Sequence, residues 1–411
     1  MSSPTLLQEQ SGLRFAYTTV LISLLCAFGP VCTDMYLPTL PEIAEDLGIS
    51  AALTQGTITA NLLGLALGQL IIGPISDGRG RHGVLIVSLA LFTVTSALCA
   101  VSTSGPMLLA MRFLQGLGGA GGVVLSRAIC CDIYQGSRLT QYLAMLMAIN
   151  SVAPILGPVA GGFMGARFGW QSIFYALTVF GALLFIACKF TLPESLAPEK
   201  RVQGGIGASL LNMRRLFTEP AFLCYLGVQG FTMGGFFGYI AASPFIIQNI
   251  YGLSMEVYSV LFAVNSMGLM LVSLLAGKLS ARMGDTRLLL CGDVLRTAAC
   301  VLVCVVTFER PDSWIVVAVS LSAMVMLQGL TLSASFSLAI ASQTVGAGAA
   351  SGLVGVATFL FGAIASPVVG LAGPMSMTPF GLTALVTGLG SITCTILGNR
   401  LHSGKPHRLV H

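Results

Sequence analysis

The chain has 411 residues, of which 55% are hydrophobic and only 9% are charged. Soluble globular proteins carry about 25% charged residues, so this composition excludes a soluble enzyme, a secreted disulfide scaffold and a disordered chain. The net charge of +5 is too small and too dispersed to indicate nucleic-acid binding. The composition indicates a protein that crosses the lipid bilayer several times.

A membrane-spanning helix needs about 20 apolar residues, and the sequence contains twelve such runs. They cover residues 13–36, 53–75, 84–103, 107–130, 139–164, 171–191, 221–243, 255–278, 287–307, 314–337, 350–371 and 380–399. We therefore predict an all-α polytopic membrane protein with twelve transmembrane helices. The first run follows a short polar start without a small-residue cleavage pattern, which predicts a retained helix and not a signal peptide.

The basic residues predict the orientation of these helices. With the N-terminus inside, 16 of the 20 lysine and arginine residues fall in cytoplasmic segments, as the positive-inside rule expects. We predict cytoplasmic termini in a bacterial inner membrane. The longest polar stretch, 193–219, predicts a cytoplasmic linker between an N-terminal six-helix bundle (1–192) and a C-terminal bundle with a short tail (220–411).

The two halves share local patterns. Gly73-Pro-Ile-Ser-Asp-Gly-Arg-Gly80 follows the second run, and Gly277-Lys-Leu-Ser-Ala-Arg-Met-Gly284 follows the eighth, with Gly, Ser and Gly at the same spacing. A second echo relates Gly157-Pro-Val-Ala-Gly161 to Ser366-Pro-Val-Val-Gly370. Internal repeats of this kind are typical of transporters, so we predict two pseudo-symmetric six-helix bundles.

No cofactor or metal site is predicted. The eleven cysteines show no C-x-x-C spacing, and the four histidines lie in polar segments, so neither a disulfide framework nor a metal site is indicated. An ATP-binding loop of the form G-x-x-x-x-G-K-[ST] is also missing from the sequence. If the chain moves a solute, the energy is expected to come from an ion gradient.

Among the charged residues of the predicted spans, four are candidates for a role within the membrane: Asp34, Arg112, Asp293 and Arg296. Charges at membrane depth suggest function. Asp34 lies near the outer end of the first helix, and Arg112 lies about 7.5 Å into the fourth from the same side, so the two could form a pair that opens on protonation. Alternatively, Asp34 marks a wet helix end and Arg112 extends outward. Asp293 and Arg296, three residues apart, predict an internal ion pair.

The short loop after the second run carries a candidate gate. Its glycines permit a tight reversal, and its arginines could bridge to an acid at the inner end of the fourth helix. A simple topology signal would account for the arginines but not for the acid and glycine spacing. The candidate gate residues are Gly73, Asp77, Arg79, Gly80, Arg81 and Asp132.

Two further sets of residues are candidates for movement and for substrate contact. The fifth run carries Pro154, Gly157, Pro158, Gly161 and Gly162, which indicate either a gating face or simple close packing. The candidate cavity residues are Tyr36, Gln115, Asn150, Phe236 and Tyr239. Core packing or lipid contact is the alternative for the aromatic ones.

These motifs resemble a known family. Asp77-Gly-Arg-Gly-Arg81 resembles the loop 2–3 signature of the major facilitator superfamily, Arg112-Phe-Leu-Gln-Gly116 its helix 4 motif, and Gly157-Pro-Val-Ala-Gly-Gly162 its antiporter motif. Thr33-Asp-Met-Tyr-Leu-Pro38, together with Ser243-Pro-Phe245 and Tyr251-Gly-Leu-Ser254, is similar to the Bcr/CflA group of drug:proton antiporters. The chain departs from the family loop at Gly78, His82 and Gly83.

The resemblance implies a twelve-helix rocker-switch fold that exports drugs, in a group with members that handle bicyclomycin, chloramphenicol-type compounds or sulfonamides. It implies proton coupling at Asp34 and Arg112, and an inner gate at Asp77, Arg81 and Asp132. We expect a functional monomer that exchanges protons for small drug-like molecules. A metabolite exporter or an uptake symporter is the alternative within this fold, and a membrane enzyme or a channel is the alternative outside it.

Overall fold

The computed structural model describes residues 12–134, 136–201, 215–343 and 347–403, which form helices and no strand. The first half contains α1 (Gly12–Cys26), α2 (Phe28–Asp34), α3 (Leu40–Asp46), α4 (Ala51–Arg79), α5 (Arg81–Ala100), α6 (Gly105–Ile133), α7 (Gly136–Phe168) and α8 (Gln171–Thr191). The second half contains α9 (Pro220–Pro244), α10 (Met255–Met283), α11 (Asp285–Glu309), α12 (Trp314–Ser342), α13 (Ala347–Val368) and α14 (Thr378–Ser403).

Each of the twelve predicted apolar runs lies on helical structure. Within the described ranges, 9 helices are long and apolar enough to cross a membrane, and counting the bent α1 to α3 segment as one span gives 10. Of the remaining two runs, 139–164 lies in α7, and 350–371 lies largely in α13, whose Gly352–Val368 part is a shorter apolar helix. The prediction of an all-α polytopic membrane fold is confirmed.

The first run departs from the prediction, because it is not one straight helix. α1 ends at Cys26, and the chain bends by 46° before continuing through α2. Pro30 explains the position of the break: it has no N–H to donate to the carbonyl of Cys26, four residues earlier, and its ring would clash with that carbonyl. A short 3₁₀ helix, Leu37–Thr39, and α3 then carry the chain onward.

The chain divides into two compact units. The first contains the described parts of Met1–Ile49, Ala60–Ala208 and Met255–Ala263; the second contains those of Ser50–Thr59, Ser209–Ser254 and Val264–His411. The predicted domain borders at residues 192 and 220 stay a prediction. Of the predicted linker, the described part includes a short 3₁₀ helix at Pro198–Lys200.

In the first unit α5 packs against α6 and α8, and aromatic rings fill the space between helices. The ring of Phe28 meets that of Phe92 edge to face at 4.4 Å and lies 5.2 Å from that of Phe180. Glycine brings α4 and α6 still closer, because a Cβ on Gly116 would lie 2.1 Å from the backbone oxygen of Asn61. Small residues at helix contacts are the usual means of close approach in membranes.

In the second unit α9 is the central helix and packs against α12, α13 and α14, while α11 packs against α12 and α14. A cluster of buried side chains includes Phe222 and Tyr225 from α9 and Leu289 from α11.

The loops before α5 and α11 correspond in backbone conformation. Gly80 and Gly284, 204 residues apart in the sequence, both adopt positive φ (99° and 81°) immediately before these helices.

The close approach of α4 and α6 generates a prediction about Gly116→Ala. Its added methyl group has no space beside the Asn61 carbonyl, so we expect a loss of about 1–3 kcal/mol in the free energy of unfolding. This loss would outweigh the better helix propensity of alanine. The measurement is the thermal unfolding midpoint in detergent.

The matched control is Gly83→Ala, because nothing lies within 4 Å of a Cβ at that helical position. We expect Gly83→Ala to leave the midpoint unchanged or to raise it slightly. Equal midpoints for the Gly116 and Gly83 variants would contradict the packing argument.

Candidate functional site

A fully buried arginine lies at the centre of the first unit. Arg112, on α6, donates from Nη1 to the backbone oxygen of Cys32 at 2.9 Å and to the side-chain oxygen of Gln115. Its guanidinium carbon lies 4.0 Å from the centre of the Tyr36 ring. Nε and Nη2 are buried and have no hydrogen-bond partner among the described residues. Arg112 therefore presents two unused donors inside the unit.

Amide and hydroxyl groups hold this arginine in place. The Gln115 amide nitrogen donates to the hydroxyl of Ser96 on α5 at 2.8 Å. Asn61 on α4 donates to the backbone oxygen of Arg112 at 3.2 Å and accepts from the Thr33 hydroxyl at 3.4 Å. Asn61 and Ser96 were missed in the sequence because we searched the spans for charged residues only. An amide in an otherwise apolar run was the available signal.

Asp34 lies at the end of α2, two residues after the carbonyl that Arg112 contacts. Asp34 is 6% exposed, and its carboxylate has no hydrogen bond or ion pair within the described part of the chain. Arg112 contacts α2, the short helix that ends at Asp34, but the two side chains form no ion pair. Each charge lies within the same unit without an opposite charge bound to it.

α7 contacts this segment through its glycines. A Cβ on Gly161 would lie 1.7 Å from the backbone oxygen of Met35, and one on Gly157 would lie 3.7 Å from the Cβ of Asp34. A Cβ on Gly162 would meet the Ser259 hydroxyl at 1.9 Å. The assigned helix runs through both Pro154 and Pro158. Gly157 and Gly161 of the predicted antiporter motif thus form the face that approaches Asp34 and Met35, whereas Gly162 packs against α10.

The five cavity candidates divide between the units. Tyr36 and Gln115 contact Arg112, as described above. In the second unit, the hydroxyl of Tyr239 accepts from the amide of Asn265 at 2.8 Å, and the ring of Phe236 lies 6.4 Å from that of Tyr239. The side chain of Asn150 lies outside the described residues.

The candidate gate residues form an ion network at the junction of α4 and α5. Arg81 donates from Nη1 to Asp77 at 2.5 Å and to Ser76 at 2.7 Å, and from Nε to Asp132 at 3.0 Å. The Ser195 hydroxyl donates to the same oxygen of Asp132. The side chains of Arg81 and Asp132 are 10% and 15% exposed, so water screens their pairing less than at an open surface. These charges fasten α4, α5 and α6 together.

The other candidates of this loop have different surroundings. Gly80 is required for its positive φ of 99°, and a Cβ there would lie 2.4 Å from a carboxylate oxygen of Glu194. A Cβ placed on Gly73 would lie 3.7 Å from a side-chain methyl group of Val124. Arg79 is exposed at the end of α4 and makes no ion pair with a described residue.

Glu194 is the residue of this network that sequence reasoning did not select. Its carboxylate accepts from the backbone N–H groups of Arg81 at 2.8 Å and of His82 at 3.2 Å. It therefore caps the N-terminus of α5, where the helix dipole favours negative charge. Partial burial opposes ionisation of Glu194, but hydrogen bonds from Leu196, Arg81 and His82 and the charge of Arg201 lower its pKa overall.

A second buried charge centre lies in the second unit and is fully paired. Nε of Arg296 lies 3.4 Å from Asp293, which confirms the predicted ion pair. The Ser391 and Thr395 hydroxyls on α14 also donate to the Asp293 carboxylate. Nη2 of Arg296 donates to the backbone oxygen of Thr387 at 3.1 Å. This centre joins α11 to α14 and, unlike Arg112, has a carboxylate beside the guanidinium.

Comparison with known proteins places these features in context. The family model described as Major Facilitator Superfamily matches residues 20–367. The uncharacterized MFS-type transporter YdgK of Bacillus subtilis is 36% identical over 94% of this chain and 96% of its own. A bicyclomycin resistance protein homolog of Haemophilus influenzae is 29% identical over 69% of this chain and 70% of its own. The multidrug resistance protein MdtL of Salmonella heidelberg is 32% identical over 61% of this chain and 64% of its own.

Solved structures share the fold at low sequence identity. A bacterial homolog of the human lysosomal transporter Spinster, in an inward-facing and occupied conformation, matches with a TM-score of 0.75 at 15% identity, covering 96% of this chain and 98% of that one. A D-xylose-proton symporter matches with a TM-score of 0.71 at 14% identity, covering 91% and 96%. At this identity the two matches concern the fold alone.

The capping role of Glu194 generates a prediction about pH. Because its folded pKa lies below the ordinary value of 4.5, ionised Glu194 stabilises the protein above that pH, and the stabilisation is lost as the pH falls through the folded value. We expect Glu194→Gln to lower the unfolding midpoint at neutral pH. The difference from wild type should shrink as the pH falls to about 4 and below.

Glu199→Gln is the matched control, because Glu199 lies exposed in the same segment and forms no hydrogen bond or ion pair with the described residues of α5. It should behave like wild type at every pH. A Glu194→Gln difference that stays constant from neutral to acid pH would show that the carboxylate charge is not what stabilises α5.

Proposed function

The chain belongs to the major facilitator superfamily, and on that premise we propose that it exports small drug-like amphipathic molecules from the bacterial cell in exchange for protons. In this proposal the chain works as a monomer in the inner membrane, with both termini in the cytoplasm. Transport proceeds by alternating access of the two six-helix halves.

The names of the relatives support the choice of substrate class. One is called a bicyclomycin resistance protein homolog and others multidrug resistance proteins. These names describe those proteins, and their matches cover 69% and 61% of the present chain. They favour a drug-like solute over a sugar or an ion, and resistance by transport requires movement out of the cell.

The observation that carries the proposal is that Arg112 is buried without a carboxylate partner among the described residues, with Nε and Nη2 unused. A buried charge without an opposite charge is costly by several kcal/mol, so a group that supplies an electronegative atom to Nε or Nη2 binds with a gain. Two such groups are available in the proposed cycle. One is the Asp34 carboxylate in the same unit, and the other is an oxygen or anionic group of the substrate.

The Asp34 carboxylate couples the proton to the substrate. When Asp34 is ionised, it attracts the guanidinium and can hold a donor group of a polar substrate in the same region. When Asp34 takes up a proton, its hold on Arg112 and on the substrate is weakened, so proton and substrate compete for Asp34, as exchange requires. Gly157 and Gly161 of α7 lie directly against Asp34 and Met35, so a shift of this segment would be transmitted to α7. Uptake of a proton from the outer side can thereby release the substrate there.

The proposal predicts that Asp34→Asn removes proton coupling. We expect inverted vesicles that contain this variant to show no drug accumulation driven by a pH gradient, while the purified variant still binds drug. Arg112→Ala should also abolish accumulation. Arg112→Lys should restore little, because an ammonium that replaces Nη1 at Cys32 and Gln115 lacks the two further donors, Nε and Nη2, that the guanidinium offers. The first measurement is a susceptibility panel in an efflux-deficient host, with expression levels matched.

Glu45→Gln is the matched control, because Glu45 is an exposed acid on α3, eleven residues after Asp34. It should retain wild-type resistance. An Asp34→Asn variant that still builds a drug gradient from ΔpH would overturn the coupling mechanism. Counterflow measured in inverted vesicles fixes the direction, and net uptake into cells would overturn export.

A further inference from the structure

Two hollows on the second unit lie outside the residues assigned to the proposed transport cycle. One is a hollow of about 650 Å³ between α9, α13 and α14, and the other is a hollow of about 350 Å³ lined by residues that follow α9 and α11 and precede α14. The neighbouring residues Met377 and Thr378 line the smaller and the larger hollow respectively. Both hollows therefore reach the start of α14.

The larger hollow, which we call the lateral groove, is lined by hydrocarbon. Its walls include Ile364 and Val386, each 60% exposed, and Leu371, 73% exposed. The hydroxyl groups of Thr383 and Thr387 donate to backbone oxygens of their own helix, at 2.8 Å and 3.0 Å. These hydroxyls are therefore engaged, and the groove suits an alkyl chain better than a polar solute. Exposed apolar surface on a membrane helix faces lipid.

The length of the lateral groove fits one leaflet of a bilayer. The groove follows α14 from Thr378 to Thr387, a distance of about 13 Å at 1.5 Å per residue. Half of a hydrocarbon core is about 15 Å thick. An alkyl chain that enters at the helix ends would therefore lie in the groove down to about the middle of the membrane.

The smaller hollow, which we call the terminal hollow, carries opposite charges. It is lined by Arg310, Asp312 and Tyr251, among others. Arg310 and Asp312 are exposed, and their side chains make no hydrogen bond or ion pair with described residues. The Tyr251 hydroxyl donates to the backbone oxygen of Pro311 at 2.8 Å, which places the phenol beside the residue that precedes Asp312. Both charges are available to a ligand.

Backbone geometry singles out Arg310. It is the only described non-glycine residue with positive φ, at 49°, and it ends α11 in the left-handed conformation. Glycine is the usual residue at such a helix end, because a side chain there is strained. An arginine in this position indicates that its charge has a use, and guanidinium groups bind phosphate with two parallel hydrogen bonds.

We propose that the terminal hollow and the lateral groove together bind one phospholipid whose headgroup carries both a phosphate and an ammonium. Arg310 binds the phosphate, Asp312 accepts from the ammonium, and an acyl chain fills the lateral groove. The site lies at the ends of α11, α13 and the start of α14, which is the depth of headgroups. A phosphatidylethanolamine molecule meets all three requirements, whereas an anionic headgroup without an ammonium would be repelled by Asp312.

The test is native mass spectrometry of the full-length protein, purified in detergent and incubated with phosphatidylethanolamine, phosphatidylcholine or phosphatidylglycerol. We expect one phosphatidylethanolamine to be retained most tightly, because the primary ammonium can donate to Asp312. Arg310→Gln should weaken its retention about tenfold, the effect of one charge-assisted hydrogen bond. Asp312→Asn should remove the preference for phosphatidylethanolamine over phosphatidylglycerol.

Matched variants separate the headgroup from the acyl chain. Arg167→Gln changes another arginine on the side predicted to be extracytoplasmic and should retain lipid like wild type. Ala372→Trp places a ring in the lateral groove and should weaken all three lipids equally, whereas Leu389→Trp, on the exposed part of α14 outside it, should not. Equal effects of Arg310→Gln and Arg167→Gln would overturn the headgroup site. Displacement of a bound drug by Ala372→Trp, with lipid unchanged, would overturn the choice of lipid as occupant.

Discussion

A fully buried arginine lies inside each unit, Arg112 in the first and Arg296 in the second, and the surrounding side chains must accommodate its positive charge away from water. In the second unit, Arg296 has Asp293 beside it, and two hydroxyl groups satisfy the same carboxylate. In the first unit, Arg112 relies on a backbone carbonyl, an amide and an aromatic ring. Neutral groups of this kind stabilise a cation less than a carboxylate does.

Because of this difference, the two centres would respond differently to a proton or a ligand. The Arg296 centre binds α11 to α14 with every strong group satisfied, so a proton or ligand gains little by entering it. Among the residues that the structure describes, the Arg112 centre keeps two donors unused, and Asp34 has no ion pair within the same unit. Within the proposed mechanism, the second unit then contributes a stable scaffold and apolar binding surface, while the first unit contributes the groups that respond to protons.

The sequence alone was sufficient for those features that depend on local spacing. Twelve apolar runs predicted the helices, because hydrophobic length is the main requirement for crossing a bilayer. The Asp293–Arg296 pair was also predictable, because residues three apart share a helix face. The break in the first span was harder to predict, although Pro30, four residues after Cys26, indicates where the helix is interrupted.

Most contacts between distant segments were beyond sequence reasoning, with the Arg81–Asp132 ion pair as an exception. Glu194 caps α5 across 113 residues of sequence, and nothing in its own neighbourhood distinguishes it from other acids of the linker. A carboxylate was one hypothesis for the partner of Arg112, but the structure shows the Cys32 carbonyl, which a sequence pattern cannot identify because every residue has one. Both cases depend on which helices pack together, and one sequence contains that information only indirectly.

The position of Glu194 also affects where the first half of the molecule can be said to end. Counted by spans, the first six helices are complete at Thr191, yet the acid that caps α5 and the serine that contacts Asp132 come afterwards. The connecting segment is therefore a structural part of the half that it leaves. If the two halves were produced as separate polypeptides, a break just after α8 would remove the cap, whereas a break beyond Arg201 would keep it.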